Sequence, residues 1–201
     1  MTATKPKRIM PKKKKRIGIC VGHSRPGDSG ARAFDRTASE WQYWAAFGKK
    51  VCPLLRDAGY VPILHTLYNG LSYTDAMSWI SAQLRGDGCD AAIELHFNAY
   101  NGKAGGFEAL HWGGSRNGAK LAGKILDAQR DRAPDFMKDR GRKPISSSGR
   151  GSQWLRKTHC PAIIWEPFFG DNKEEWEHYS SLKGREELME TLVKGVSDYF
   201  G

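Results

Sequence analysis

Four short apolar runs in this chain of 201 residues end on residues able to bind metal or carry a proton. RIGICVG leads into His23, VPIL into His65, AAIEL into His96, and PAIIW into Glu166. If the runs are strands of an α/β sheet, these side chains collect at the strands' carboxyl ends, where such sheets bind ligands. One of them alone reads as an ordinary hydrogen-bonded strand-end residue; several at one sheet edge make a site. Glu40 adds a different signal. On a helix its face continues at Trp44, Phe47, Val51 and Leu55, all apolar, so its carboxylate heads the core-facing stripe. A carboxylate there is a helix-start acid favoured by the macrodipole, or it must be paired, protonated or metal-bound, because burying it alone is costly. Two His and one carboxylate with an open position form a known catalytic zinc arrangement. Glu166 follows AIIW and precedes Pro167, Phe168 and Phe169. Apolar neighbours push a carboxyl pKa toward neutrality, which suits a general base; a salt-bridged strand-end acid is the plainer alternative.

The elements that must position these residues alternate along the chain. After the first strand comes a turn-rich loop, HSRPGDSGARAFDRT, then a helix from about Ala38 to Ala58 stopped by Gly59. YVPILHT reads as a second strand, and Thr74 as the cap of a helix to about Leu84. AAIELHF and GFEALHW read as strands three and four, and Ser115 caps a helix to about Arg130. Residues 133–152 read as a Pro/Gly/Ser loop, CPAIIWE as the last strand, and helices follow from about Lys173 and from Leu182 to Tyr199. Alternating strands and helices predict one α/β domain, a central, mostly parallel or mixed sheet of about five to six strands with helices on both faces.

The formal charge of +10 is uneven. Residues 1–16 carry eight basic groups and no acid, residues 17–102 sum to −1, residues 103–157 to +8, and residues 158–201 to −5. A protein coated uniformly by nucleic acid spreads its excess over the fold; this one concentrates it in a tail, read as disordered, and a middle stretch. No apolar run reaches the roughly 18 residues needed to cross a bilayer, and the basic N-terminus has no secretory h-region. Cys20, Cys52, Cys89 and Cys160, separated by 32, 37 and 71 residues, match no zinc-finger or redox spacing and are expected to be reduced.

Together the motifs resemble the zinc-dependent N-acetylmuramoyl-L-alanine amidases, phage-type endolysins among them. Gly22-His23 followed by Asp28, Gly30 and Ala31 matches the first signature, Glu40 the helix-borne Glu, and His96-Phe97-Asn98-Ala99 the His-x-Asn-Ala strand end. Gly106-Phe107-Glu108, Asp139 to Lys143, LRKTHCPAIIWE, Asp171 and Asn172 continue the pattern in order. The resemblance implies a phosphorylase/hydrolase-like catalytic domain over residues 17–201, zinc held by His23, Glu40 and His96, and Glu166 as catalytic acid and base. The implied reaction is hydrolysis of the amide between muramic acid and L-alanine by a zinc-activated water.

Two residues depart from the pattern near the site. Glu94 stands where the family usually carries Ser, on the His96 side of its strand; it can orient a ligand or compete as ligand or base. Pro167 follows Glu166 where a smaller or branched residue is common. His65 has no family counterpart and reads as structural or cleft-lining, and His111, His159 and His178 as non-ligands. Asn98, Arg142, Trp112 and Trp154 are candidates for supporting or substrate contacts, the Trp rings by stacking on sugars, whereas Trp165 reads as core. The expected setting is a monomeric phage lysis protein made in the host cytoplasm. It would reach the wall after membrane permeabilisation, with the tail free to contact anionic envelope polymers. The competing readings are an inactive wall-binding module, a zinc carboxypeptidase acting on the stem peptide, and a nucleic-acid binder.

Overall fold

A computed structural model describes residues 13–201. Twelve elements follow one another: β1 (Arg16–Val21), α1 (Glu40–Asp57), β2 (Val61–His65), α2 (Tyr73–Gly86), β3 (Ala91–Leu95), β4 (Phe107–Trp112), α3 (Arg116–Arg130), β5 (Asp139–Ile145), α4 (Ser152–Lys157), β6 (Ala162–Glu166), α5 (Lys173–Ser180) and α6 (Leu182–Phe200). Most of the basic N-terminal segment lies outside the described residues. Its end does not: Lys15 pairs with Asp90 at 3.0 Å and accepts the Val61 amide, so the sheet begins inside the segment read as tail.

The strands form one six-stranded sheet in the order β2-β1-β3-β6-β4-β5. β2, β1, β3 and β6 are mutually parallel, β4 runs antiparallel to β6, and β5 is parallel to β4. Helices cover both faces, as the alternation predicts. Because side chains alternate along a strand, Ile17, Ile19, Val21, Ala91, Ile93, Leu95, Ile163 and Trp165 enter the core beneath α1, α3, α5 and α6. The intervening residues Cys20, Ala92, Leu110, Ala162 and Ile164 pack with α2 and α4 on the other face. Glu94, Glu108 and Glu166 share that second face by the same period. Three buried carboxylates thus line one side of the sheet.

Two readings need correction. β5 lies in the segment read as loop: it is a charged edge strand, DRGRKPI, with no apolar alternation to reveal it and with Pro144 placed where an edge tolerates one. α2 is capped by Ser72, not Thr74; the Ser72 hydroxyl accepts the Asp75 amide and Asp75 reaches back, completing a capping box. All four cysteines are free. Among the described residues no helix is long and apolar enough to cross a membrane.

Candidate active site

Ser39 caps α1 with a second box, through Gln42, and so fixes Glu40 as the first helical residue. Below it Trp44, Phe47, Val51 and Leu55 are all buried, so the apolar stripe delivers Glu40, only 2% exposed, to the carboxyl ends of β1 and β3. His23 occupies the turn after β1 with φ 55°, a left-handed conformation uncommon for a residue with a side chain. His96 follows β3. Nε2 of His23 lies 3.3 Å from one Glu40 oxygen, and Nδ1 of His96 lies 3.0 Å from the other. The same two oxygens accept the backbone amides of Ala31 and Phe97. Glycine is required at two approaches. A Cβ at Gly22 would enter the His96 ring, and one at Gly30, itself at φ 70°, would sit 2.6 Å from the Glu40 carboxylate.

This geometry fits a metal. Ligand atoms of His23, Glu40 and His96 all lie within 4.8 Å of one another. Zinc bonds of about 2.0–2.2 Å set neighbouring ligand atoms about 3.3–3.6 Å apart in a tetrahedron, close to the 3.3 and 3.0 Å that separate the two imidazoles from the Glu40 carboxylate. The nitrogens facing away from Glu40 also have partners. Nδ1 of His23 is 2.9 Å from Asp28, and Nε2 of His96 is 3.3 Å from Glu94. Burial alone would make the His96 imidazole harder to protonate, but hydrogen bonds to Glu40 and Glu94 outweigh it and raise its pKa well above the usual value. The cluster therefore attracts positive charge.

Glu166 faces the same cavity, of about 570 Å³, whose walls include His23, Glu40, Glu94, His96 and Arg150. It is 4% exposed, and burial raises its pKa to about 7 against the pull of Arg150. In the antiparallel pairing of β4 with β6, Glu166 stands directly opposite Glu108. Like charges in that position repel, and Arg150 lies between them. Its guanidinium donates to Asn98 at 2.9 Å, pairs with Glu108, and comes within 3.1 Å of Glu166 Oε2. The last approach is an ion pair without hydrogen-bond alignment, so Oε2, itself buried, is left without a hydrogen-bond partner. Burial opposes ionisation of Glu108, but Arg140, Asn98 and Arg150 outweigh it and keep its carboxyl below the usual range.

Removing the cation should raise the pKa of Glu166 further. Arg150→Ala is expected to move the acid limb of the pH–activity profile upward, lowering activity below that limb by about tenfold for each unit of displacement. An unmoved limb would show that Arg150 does not act on Glu166.

Several candidates lie elsewhere. His65 ends β2 but pairs with Asp87 at 3.1 Å and is absent from the cavity wall. Trp154 is fully buried with α2 and cannot stack on a sugar, which corrects that expectation; Trp112, partly buried, packs on the same cluster outside the cavity. Arg142 lines a separate depression beside α3 and donates to the Ala119 carbonyl. Trp165 is core, its indole bonded to Gln129. Asn98 supports Arg150, while Asp171 accepts the amides of Tyr100 and Gly102, and Asn172 caps α5. Arg150 and Tyr68 escaped the sequence reading; Arg150 sits in the SSSGRGS stretch, where no periodicity singles out one residue.

A profile of the family described as N-acetylmuramoyl-L-alanine amidase matches residues 17–198. The chain belongs to that family. Solved structures of similar proteins agree with the fold. The catalytic domain of the CD27L endolysin, targeting Clostridia difficile, is 27% identical with a TM-score of 0.75, covering 92% of this chain and 97% of that one. The CwlD amidase of Clostridioides difficile, solved with the GerS lipoprotein, is 19% identical with a TM-score of 0.80, covering 93% and 98%. The amidase AmiC2 of Nostoc punctiforme is 20% identical with a TM-score of 0.76, covering 92% and 97%. No curated protein sequence matches significantly. Membership of this amidase family makes peptidoglycan the substrate class and hydrolysis of an amide the reaction.

Proposed function

We propose that the chain is a zinc-dependent amidase that cuts the bond between N-acetylmuramic acid and the L-alanine of the stem peptide. The observation that carries this reading is the His23–Glu40–His96 cluster sharing one cavity with Glu166. His23, Glu40 and His96 would hold the ion, which supplies Lewis-acid polarisation of the scissile carbonyl and a lower pKa for the attacking water. Glu166 takes the water proton on its carboxylate and returns it to the departing L-alanine nitrogen. A carboxyl titrating near neutrality suits both transfers. Arg150 sits between Glu108 and Glu166 and favours the ionised form of both.

The likeness to an endolysin catalytic domain supports a role in phage-induced host lysis. In that role the protein is made in the host cytoplasm and meets the wall after the membrane is permeabilised. The basic N-terminal segment, eight cations with no acid of which Lys15 and Arg16 are engaged by the sheet, would then tether it to anionic envelope polymers.

Purified sacculi provide the test. Incubation with the wild type should release stem peptides bearing free L-alanine amines, leaving the glycan strands intact by mass spectrometry. A chelator should abolish release and Zn²⁺ restore it. Fragments cut within the peptide would favour the carboxypeptidase reading, and binding without release the inactive module.

A further inference from the structure

We propose that Glu94, held by Tyr68, is a positioning residue that fixes the ring orientation and tautomer of His96 for metal binding; this rests on the zinc reading above. β3 is otherwise entirely apolar and all five of its residues are buried, so an ionisable side chain inside it needs a reason. Glu94 is 4% exposed, and both its oxygens are engaged. Oε1 accepts the Tyr68 hydroxyl at 2.8 Å, and Oε2 lies 3.3 Å from Nε2 of His96. Nδ1 of the same ring faces Glu40 at 3.0 Å. The Glu94 carboxylate, within ion-pair distance of Nε2, favours keeping the ring hydrogen on that nitrogen and leaves the Nδ1 lone pair for an ion beside Glu40.

The arrangement repeats on His23 with the nitrogens exchanged: Nδ1 meets Asp28 and Nε2 faces Glu40. Each imidazole thus carries an inner nitrogen toward Glu40 and an outer nitrogen toward a second carboxylate. Tyr68 links the two halves. It is 2% exposed, and its backbone N–H donates to the Ser24 carbonyl at 3.0 Å, in the turn that carries His23. A hydroxyl anchored to one ligand's turn therefore fixes the carboxylate that fixes the other ligand. Glu94 sits on the far side of His96 from Glu40, which makes it a support for a ligand and not a fourth ligand.

The experiment measures zinc affinity of the full chain by competition with a chromophoric chelator at fixed pH, for wild type, Glu94→Ala, Glu94→Gln and Tyr68→Phe. Glu94→Ala is expected to weaken zinc about 10–100-fold. Glu94→Gln, whose amide oxygen can still accept from Nε2–H, should recover part of the loss, and Tyr68→Phe should lose less than Glu94→Ala. X-ray absorption should give the same coordination number in Glu94→Gln as in wild type. Affinity within twofold of wild type in Glu94→Ala, or loss of a coordinated oxygen in Glu94→Gln, overturns the proposal. Should Glu94→Ala fail to fold by circular dichroism, unchanged affinity in both Glu94→Gln and Tyr68→Phe does so. A wild type without zinc affinity defeats the zinc reading itself. Tight wild-type binding that ignores Glu94 defeats only the positioning role.

Discussion

Glu166→Gln is expected to lower kcat by about 10²–10⁴-fold, the usual worth of a positioned general acid–base group, while zinc content stays at the wild-type level. The substitution preserves shape and removes only the ability to accept and return a proton. The two readouts separate the roles: a metal ligand would lose zinc together with activity, and a structural residue would lose stability. Glutamine should not destabilise the fold, because it removes a buried carboxylate facing Glu108 across β4 and β6. Steady-state kinetics on soluble muropeptides together with metal analysis decide the matter. Wild-type kcat in Glu166→Gln would remove this residue from the mechanism.

The pH dependence follows from the same side chain. Burial raises the Glu166 pKa to about 7, above the ordinary carboxyl value. The protonated form is therefore the one the metal-free fold favours, and Glu166's contribution to stability is present at low pH and shrinks as pH rises toward 7. Catalysis needs the opposite state, since only the carboxylate accepts a proton. A bound dication favours ionisation, so activity should rise along an acid limb with its midpoint at or below about pH 7.

Much of this site is legible in the sequence because burial leaves a pattern there. Trp44, Phe47, Val51 and Leu55 mark one helix face, and that face alone carries Glu40 to the sheet edge. His23, His96 and Glu166 end apolar runs, and parallel β1, β3 and β6, adjacent in the sheet, bring those ends together. His65 ends its run in the same way, but β2 is the edge strand, and Asp87 offers His65 a partner away from the cavity. Strand-end position was therefore not sufficient for the histidines; neighbourhood in the sheet decided it, and strand order is not written in local periodicity. Arg150 was hidden for a related reason. Its partners Asn98, Glu108 and Glu166 lie 52, 42 and 16 residues away and meet it only in the folded sheet, where the antiparallel β4–β6 pairing sets Glu108 opposite Glu166. β5 was hidden by its charge, for an edge strand open to solvent needs no apolar face.

Glu40→Ala should abolish metal binding and with it activity, the largest loss expected from any single substitution here. The carboxylate lies between both histidines, and its oxygens also hold the Ala31 and Phe97 amides, on the segments leading from His23 and His96. Alanine removes one donor of three and leaves the Phe97 N–H, buried beside His96, without its acceptor. An unsatisfied buried group costs about 1–3 kcal/mol, so the remaining donors lose their placement as well as their partner. Thermal unfolding reads both effects. Zinc at about 100 times its Kd should stabilise the wild type by about 2.7 kcal/mol, visible as a rise in Tm, whereas Glu40→Ala should show no zinc-dependent rise. A Tm that still climbs with zinc in Glu40→Ala would mean that the ion is held without Glu40. The helix-start acid would then be serving α1 alone, and the apolar stripe beneath it would have positioned nothing more than a helix terminus.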